Sequence, residues 1–440
     1  MSPDWAVLVR TAQPSIVLPP GDRRAQVQVP GPLELEHVLD LGGGHAVGVI
    51  RSADGERWCT PLVVRDAQVR RAAPGDGTTE LLVRRLAASG DSEGVDGFTL
   101  RSFAGLPVSG ERGVEVDQTN ESVIVGEQVV VKWMTRLPGQ GGRGSPAAAR
   151  IGALARAGFA DQPAPWGFLL ADEPQGHGQL LACAVAYLPG AEDGWDWATA
   201  DLRALLRGDL SMDRAVEPAA MIGAITARMH AGLAGTNIRV ATEQEAAGWC
   251  QAARDEMADA LAYATGDEAA RLRGWADRIY AGLDELADLA GTPLIAIHGD
   301  LHVGQVLRTR DPDRLLVTDF DGNPTLAFAD RWDPQPVAVD VAGMLASWDH
   351  VGRVVQYRDE GADLSLIRSW IAGAQAAYLE AYQTEASRLS IGALLELRGL
   401  WPMRLRQEIR EVRYAQQHLP HWVYVPDLAL ADLLDRTHPA

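Results

Sequence analysis

The chain has 440 residues, which is long enough for two or three domains with substantial hydrophobic cores. Its 47% hydrophobic and 22% charged residues are typical of a globular protein and exclude a largely disordered one. The 40 basic and 59 acidic residues give a net charge of -19, which disfavours nucleic acid or an anionic membrane as a partner and suits a small cationic substrate.

The cysteines indicate a reducing compartment. Cys59, Cys183 and Cys250 are widely spaced and odd in number, so we do not expect a disulfide framework. Residues 1–10 lack the features of a secretory signal, and no apolar run approaches the ~20 residues that span a bilayer. The sequence therefore predicts a cytoplasmic protein without a membrane segment.

The first region, residues 1–105, is predicted to be a small β-rich unit. Apolar runs at residues 6–9, 46–50 and 60–64 indicate short strands, and glycines between them indicate turns. Residues 87–94, which include Ser, Gly and acidic residues, are the expected linker to the next region.

The second region, residues 106–190, is predicted to contain further strands at residues 114–116, 122–126, 128–133, 166–170 and 180–187. Lys132 ends a β-branched run, so its neighbours are predicted to be buried while its ammonium group either reaches into a cleft or is that of an ordinary edge-strand lysine. The loop before it carries Asn120 and Ser122, whose polar groups can hold phosphate oxygens or form an ordinary turn. A helix at residues 146–157, capped by Ser145, contains no carboxylate that could pair with Lys132.

Residues 191–290 have helical periodicity, with helices expected at residues 218–233 and 242–286. The second helix opens with the capping-box spacing of Thr242 and Glu245. His230 is expected to be a packed histidine rather than a catalytic one. Trp195 and Trp197 either line a sugar cleft or pack between elements.

Two polar motifs follow apolar runs of strand character at residues 294–297 and 315–317. The first reads His-Gly-Asp-Leu-His-Val-Gly-Gln over residues 298–305, and the second reads Asp-Phe-Asp-Gly over residues 319–322. Gln305 and Asp319 lie five and nineteen residues after Asp300. In that order, a carboxylate, an amide and a second carboxylate suit a kinase that orients a hydroxyl and binds the Mg²⁺ of ATP.

The same residues allow a second interpretation. His298, Asp300 and His302 alternate as His-x-Asp-x-His, a spacing that also occurs among ligands in metal-dependent hydrolases. Such a site needs further ligands, and histidines such as His45 and His230 offer no paired spacing. The kinase hypothesis is therefore preferred.

Residues 110–350, by the order of these motifs, resemble the aminoglycoside phosphotransferase-like kinases. They are most similar to the maltokinase-like branch, closest to bacterial glucosamine kinases, which carry Gln where other kinases carry Asn. The resemblance implies an α+β, bilobal protein-kinase-like fold with an extra N-terminal β-rich cap domain. It divides the chain into the cap at residues 1–105, an N-lobe-like nucleotide-binding domain at residues 106–190 and a mostly helical C-terminal lobe at residues 191–440.

The resemblance also implies roles for individual residues. Asp300 would be the catalytic base, His302 would orient the acceptor hydroxyl, and Asp340 would cap a helix and brace the catalytic loop. The metal ligands would be Gln305, Asp319 and Asp321. The ATP-binding residues would be Lys132, Ser122, Asn120, Ala184, Ala186 and Tyr187, the last three through backbone groups near adenine.

The C-terminal region is expected to bind the acceptor. Leu405, Ile409 and Val412 recur at helical spacing and are predicted to face the core. The adjacent stripe would contact the sugar together with Asp300 and His302, and it comprises Trp401, Arg404, Glu408 and Glu411. The alternative is a solvated face on which Arg404 pairs with Glu408.

The predicted activity is ATP-dependent phosphorylation of the 6-hydroxyl of D-glucosamine with Mg²⁺. Maltose, giving the 1-phosphate, is the second candidate acceptor, and an aminoglycoside antibiotic is the third. A nucleotide-binding regulatory protein with little turnover is a different class of function, suggested by the missing helix carboxylate. The expected partners are ATP and a small amino sugar.

Overall fold

The structure is a computed structural model that describes residues 3–19, 32–103, 105–106, 108–114, 121–139, 141–173, 178–235 and 237–435. The chain forms two compact units. The first comprises Met1–Ala155, Pro163–Pro189 and Pro324–Trp332, and the second comprises Arg156–Gln162, Gly190–Asn323 and Asp333–Ala440. The predicted division of the first 190 residues into a cap and an N-lobe-like domain stays a prediction.

The first sheet of the first unit is antiparallel and has five strands. β1 pairs with β2 and β2 with β3, while β4 and β10 share the other edge of β3. The strands are β1 (Glu34–Gly42), β2 (His45–Arg51), β3 (Arg57–Arg65), β4 (Gln68–Arg71) and β10 (Arg136–Leu137). The predicted strands at residues 46–50 and 60–64 lie in β2 and β3 and are confirmed.

The predicted strand at residues 6–9 is wrong, because this segment forms the helix α1 (Trp5–Thr11), which α2 (Pro14–Val17) follows. The Asp4 carboxylate accepts a hydrogen bond from the Val7 N–H and caps the helix. Trp5 and Val9, four residues apart, are its buried side chains. A run of four apolar residues is too short for its periodicity to distinguish a strand from a helix.

The second sheet of the first unit has seven strands in the order β5-β6-β11-β12-β9-β8-β7. They are β5 (Ser92–Val95), β6 (Phe98–Ser102), β7 (Glu111–Gly113), β8 (Glu121–Val125), β9 (Val129–Trp133), β11 (Pro165–Ala171) and β12 (Gln179–Ala186). The strands predicted at residues 122–126, 128–133, 166–170 and 180–187 are confirmed. Val114 lies just after β7, so no strand begins there, and residues 115–116 lie outside the described residues.

The predicted linker at residues 87–94 is also wrong. Its first two residues complete α3 (Thr78–Ala88), and residues 92–94 belong to β5. The N-terminus of α3 is held by the Glu111 carboxylate, which accepts hydrogen bonds from the N–H groups of Gly75, Gly77 and Glu80. A carboxylate at a helix N-terminus satisfies donors that the helix leaves open and interacts favourably with its dipole.

The second unit is mostly helical and also contains two short two-stranded sheets. Its helices are α5 (Gly194–Leu206), α6 (Met212–Ala234), α7 (Glu243–Tyr263), α8 (Gly266–Asp284), α9 (Ala338–Arg358), α10 (Leu364–Arg388), α11 (Leu400–His418) and α12 (Tyr424–Asp435). Its strands are β13 (Arg239–Val240), β14 (Pro293–Leu294), β15 (Val306–Arg310) and β16 (Asp313–Val317). The helix α4 (Ala147–Arg156), predicted at residues 146–157, belongs to the first unit.

Two helix boundaries differ from the prediction. The helix expected at residues 242–286 is broken into α7 and α8, although the capping box of Thr242 and Glu245 is present. α6 begins at Met212, so Pro218 lies inside it rather than at its start.

Leu405, Ile409 and Val412 on α11 are buried as predicted. Among the described residues, no helix combines the length and the apolar character needed to cross a membrane.

Candidate active site

The two motifs meet at the base of the β15–β16 hairpin. Gln305 ends a 3₁₀ turn that leads into β15, and Asp319 is the second residue after β16. The Thr318 N–H donates to the Gln305 carbonyl oxygen at 2.8 Å. The two predicted metal ligands are therefore neighbours in the backbone. Of the predicted strand at residues 294–297, only Leu294 lies in β14, and Ile295 forms an isolated bridge.

Asp319 has an unusual backbone. Its φ is 61°, in the left-handed region that residues other than glycine rarely adopt, and its side chain is exposed. Such a conformation persists only when the surrounding structure holds it, and it is concentrated at functional sites. The turn directs the chain out of β16 at the position where the motif predicts a metal-binding carboxylate.

The catalytic loop is anchored by Asp340 on α9. One carboxylate oxygen accepts the N–H of His298 and the other accepts the N–H of Gly299, both at 2.8 Å. Asp340 is 1% exposed. The prediction that it caps the helix is wrong, because α9 begins two residues earlier, at Ala338. Its carboxylate instead points to the loop, which matches the bracing role that the resemblance implied.

His298 joins the two motifs. Its Nε2 donates to the Thr318 carbonyl oxygen at 2.9 Å, and its Nδ1 accepts the N–H of Asp300 at 3.3 Å. Because a carbonyl oxygen can only accept, this pair of contacts assigns the proton of a neutral ring to Nε2. The side chain of His298 thus ties the loop of Asp300 to the segment that enters Asp319.

Asp300 is a half-buried carboxyl among other carboxylates. Burial raises the pKa of Asp300 to about 7, and the charges of Asp319, Glu411 and Asp340 contribute to that rise. Arg410 acts in the opposite direction. A group that titrates near neutral pH is suited to accept a proton from a hydroxyl.

His302 is held neutral beside the loop. Burial lowers the pKa of His302 to about 4, with smaller contributions from His298 and His350. Its Nδ1 accepts the N–H of Gly304, and the ring centroid lies 6.1 Å from that of Trp195. A neutral ring beside Asp300 is compatible with the predicted role in orienting a hydroxyl.

The two tryptophans have different surroundings. Trp197 is buried and its Nε1 donates to the Val306 carbonyl oxygen at 3.0 Å, which supports the packing interpretation for this residue. Trp195 is half-buried beside His302 and Trp422, with both ring centroids 6.1 Å away. Trp195 therefore remains a candidate wall of a sugar site.

The acceptor residues predicted on α11 have different environments. Glu408 is 3% exposed and its carboxylate lies 3.0 Å from Nε2 of His350, so it does not lie on a solvated face. Burial alone would lower the pKa of His350, but the Glu408 carboxylate raises it to about 9. Glu411 accepts a hydrogen bond from Gln407, and burial raises its pKa. Trp401 packs against the helical core of the second unit.

The predicted nucleotide-binding residues lie in the first unit. Ser122 on β8 and Lys132 on β9 are directly opposite each other, and both are half-buried. Asn120 lies outside the described residues. The N–H groups of Ala186 and Tyr187 already donate to carbonyl oxygens, each at 2.8 Å. Adenine pairing at these two residues would therefore use their carbonyl groups.

Ala184, the third residue predicted to contact adenine, lies within β12 between β11 and β9 and is buried. Ala186 and Tyr187 are half-buried rather than buried, so they are the more accessible part of this segment.

The donor set fits Mg²⁺ better than a hydrolase metal. The Gln305 amide oxygen and the Asp319 carboxylate are oxygen ligands of the kind that bind Mg²⁺ together with phosphates. No group of three or more His, Cys, Asp or Glu side chains in the described part of the chain is arranged to hold a metal ion. Both ring nitrogens of His298 are engaged with the backbone, as is Nδ1 of His302. These contacts disfavour the His-x-Asp-x-His metal site.

Sequence reasoning missed buried charged residues on α9 and α11. Asp349, His350 and Arg353 on α9 are 3%, 5% and 1% exposed, and Arg353 Nε donates to Asp349 at 2.7 Å. Arg410 on α11 is bound to Glu256. The available signal was the position of charged residues within helical runs that otherwise have core periodicity.

The chain is similar in sequence to two glucosamine kinases. The chain is 56% identical over 438 residues to a glucosamine kinase from Streptacidiphilus jiangxiensis, covering 99% of each chain. It is 41% identical over 413 residues to a glucosamine kinase from Mycolicibacterium smegmatis, covering 92% of this chain and 98% of that protein. No protein-family model matches the chain.

Among solved structures, a glucosamine kinase in complex with glucosamine, ADP and inorganic phosphate aligns with a TM-score of 0.89 at 53% identity, covering 99% of this chain and 100% of that one. Another glucosamine kinase crystal form aligns with a TM-score of 0.91, covering 98% and 100%. These similarities confirm the predicted α+β kinase-like fold.

Gly343→Ala tests how closely the loop packs on α9. A Cβ at Gly343 would lie 2.7 Å from the Leu301 carbonyl oxygen, so the loop would have to shift. We expect turnover to fall by about tenfold or more, since a displacement of about 1 Å in a catalytic group can reduce a rate by about 100-fold. Turnover is measured in a coupled assay for ADP.

Gly248→Ala is the matched control, because Gly248 lies inside α7 and a Cβ there meets nothing within 4 Å. It should raise the free energy of unfolding by up to about 1 kcal/mol and leave turnover unchanged. Full activity in Gly343→Ala would show that the loop tolerates the displacement.

Asp300→Asn should make the protein more stable at neutral pH. The pKa of Asp300 is raised to about 7 in the folded state, so unfolding releases a proton between roughly pH 4 and 7 and native stability falls as pH rises through that window. The variant removes this penalty. Its gain should grow from pH 4 to 7 and then level off at roughly 1–3 kcal/mol.

The measurement is urea unfolding at several pH values without nucleotide or metal. Asp209→Asn, at an exposed carboxylate paired with Arg207, should show no comparable gain. A gain for Asp300→Asn that is the same at pH 4 and pH 8 would contradict the electrostatic account.

Proposed function

Because the chain belongs to the glucosamine kinase family, we propose that it transfers the γ-phosphate of ATP to the 6-hydroxyl of D-glucosamine with Asp300 as the general base. Membership of this family makes the protein an ATP-dependent phosphotransferase. The observation that supports the assignment of the base is the position of Asp300. Its carboxyl has a pKa near neutral and lies on a loop that Asp340 anchors.

Asp300 would act on the acceptor hydroxyl. In phosphoryl transfer the enzyme contributes mainly positioning and electrostatic stabilisation, and a carboxylate accepts the proton of the attacking hydroxyl. The neutral ring of His302, close to Asp300 in the same loop, would orient that hydroxyl through a hydrogen bond.

The two motifs would hold the nucleotide phosphates. Gln305, Asp319 and Asp321 would hold Mg²⁺, which supplies positive charge against the phosphate oxygens when bound. Lys132 and Ser122, paired across two strands, would contact phosphate oxygens. The backbone of Ala184, Ala186 and Tyr187 would lie along adenine.

The acidic side chains on α11 would favour an amino sugar. A protonated amine gains from a nearby carboxylate in a site of low dielectric. Glu408 is already engaged by His350, so Glu411 is the carboxylate that we assign to the ammonium group. Burial raises the pKa of Glu411, and a bound cation would act in the opposite direction by favouring the carboxylate form. Arg404 and Trp401 would complete the site.

Maltose and an aminoglycoside remain the second and third candidate acceptors. Both would use the same base and metal ligands, so only the acceptor side separates them. A regulatory protein that binds nucleotide without turnover is the alternative of a different class, since α4 carries no carboxylate. We also infer that the protein acts in the cytoplasm.

Asp300→Ala should lower turnover with glucosamine by about 100- to 10,000-fold, the contribution typical of general base catalysis. ADP affinity, measured by calorimetry, should stay within about threefold because Asp300 is assigned to the acceptor. Asp209→Asn serves as the carboxylate control and should keep full turnover. If Asp300→Ala also kept full turnover, the assignment of the base would be lost.

Glu411→Gln should weaken recognition of the amine. We expect KM for glucosamine to rise about tenfold or more, while kcat/KM for glucose, which has a hydroxyl in place of the amine, changes by less than about threefold. Steady-state kinetics with both sugars measures the ratio, and NMR of the product identifies the phosphorylated carbon. Equal loss with both sugars would contradict the assignment of Glu411.

A panel that includes maltose and kanamycin ranks the acceptors. Glucosamine should react fastest. Turnover of maltose with inert glucosamine would reverse the order, and nucleotide binding without turnover on any sugar would favour the regulatory alternative.

A further inference from the structure

A buried hydrogen-bond chain lies behind the catalytic loop. His230 on α6 places Nε2 3.1 Å from Asp340 on α9 and Nδ1 2.9 Å from the hydroxyl oxygen of Tyr382 on α10. The rings of His230 and Tyr382 meet edge to face, with centroids 5.6 Å apart. His230 and Tyr382 are 0% exposed and Asp340 is 1% exposed. Three different helices therefore contribute to one network shielded from solvent.

The protons of this network follow from its partners. The Asp340 carboxylate is ionised, because the hydrogen bonds from His230 and from the Gly299 N–H hold its pKa below the usual range against the effect of burial. An ionised carboxylate only accepts, so His230 donates from Nε2. With a neutral ring, Nδ1 accepts the proton of the Tyr382 hydroxyl. Every polar side-chain atom in the hydrogen-bond chain from Tyr382 through His230 to Asp340 then has a hydrogen-bond partner.

The Asp340 carboxylate divides its contacts between this chain and the catalytic loop. The oxygen that accepts from His230 also accepts the N–H of His298, and the other oxygen accepts the N–H of Gly299. Rotation of the carboxylate would break contacts on both sides. His230 therefore restricts the orientation in which Asp340 can hold the two N–H groups that precede Asp300.

The helices that carry the chain are packed closely. A Cβ at Gly223 on α6 would lie 2.1 Å from the Tyr378 carbonyl oxygen on α10, so the two backbones are in direct contact. This contact lies one to two turns from His230 and Tyr382 on the same helices. Movement of the Tyr382 hydroxyl relative to His230 is consequently limited.

We propose that His230 and Tyr382 are positioning residues of the phosphoryl transfer, acting through Asp340 to hold the loop of Asp300 in its reactive geometry. The inference rests on the proposed function, and it adds two residues remote from the substrate. His298 extends the same network to Thr318, next to Asp319. One buried chain therefore restrains the base and the segment that carries a metal ligand.

The role predicts a separation of kinetic constants. The geometry of the loop affects the energy of the transition state more than it affects sugar binding. Loss of the hydrogen-bond chain should therefore lower kcat, while KM for glucosamine changes by less than about twofold. Groups that orient a reactive residue through one intermediate typically contribute about 10- to 100-fold. A role confined to stability would instead lower the melting temperature and leave kcat per folded molecule unchanged.

The experiment compares four variants by kcat, KM and thermal unfolding. His230→Leu removes both hydrogen bonds at similar volume and should lower kcat about 10- to 100-fold. His230→Gln can still donate to Asp340 and should recover to within about fivefold of the parent protein. Tyr382→Phe removes only a hydroxyl and should lower kcat about 3- to 10-fold, the effect of one hydrogen bond.

Tyr378→Phe is the matched control. Tyr378 lies one turn before Tyr382 on α10, is also 0% exposed, and its hydroxyl is outside the chain from Tyr382 to Asp340. Its kcat should equal that of the parent protein within about twofold. Tyr382→Phe and Tyr378→Phe each remove one hydroxyl from an equally buried side chain of the same helix.

The outcomes separate this inference from the proposed function. A parent protein inactive on glucosamine would remove the proposed function itself. An active parent protein would overturn the inference if Tyr382→Phe and Tyr378→Phe behaved alike, or if His230→Gln were as impaired as a folded His230→Leu. If His230→Leu fails to fold, the comparison of kcat between Tyr382→Phe and Tyr378→Phe still tests whether the Tyr382 hydroxyl has a positioning role.

Discussion

The two hydrogen bonds from Asp340 to the N–H groups of His298 and Gly299 are the constraint on which the candidate site depends. They place a buried negative charge directly behind the loop of Asp300, and the loop in turn satisfies that charge. Removing one partner of such a buried contact leaves an uncompensated group, which is more destabilising than losing an exposed ion pair. The loop and α9 therefore stabilise each other.

The same site gathers carboxylates that repel one another. Asp300 is close enough to Asp319, Glu411 and Asp340 for their charges to raise its pKa. A cluster of this kind lowers the stability of the empty protein at neutral pH, and a cationic substrate or metal relieves the repulsion. This destabilisation lies at the position where the proposed reaction needs a base. Active sites commonly contain groups that lower the stability of the protein in this way.

Local sequence patterns predicted many elements but failed at their boundaries. The alternating strands around Lys132 and the capping box at Thr242 were recovered because each has a strong short-range signal. Residues 6–9 were assigned to a strand, although Asp4 could have been recognised as a helix cap. Residues 87–94 looked like a linker, yet pairing with β6 makes part of them a strand, and such pairing is not visible locally.

The sequence by itself predicted the kinase-like activity, because the spacing of Asp300, Gln305 and Asp319 within and between two strand-loop motifs is a local property of the chain. Only the tertiary structure decided which buried groups form hydrogen bonds and ion pairs around those residues. The engagement of Glu408 by His350 and the contact of His230 with Asp340 join residues 58 and 110 positions apart. Their burial and charge depend on how helices pack, and one sequence does not encode that packing in any short pattern.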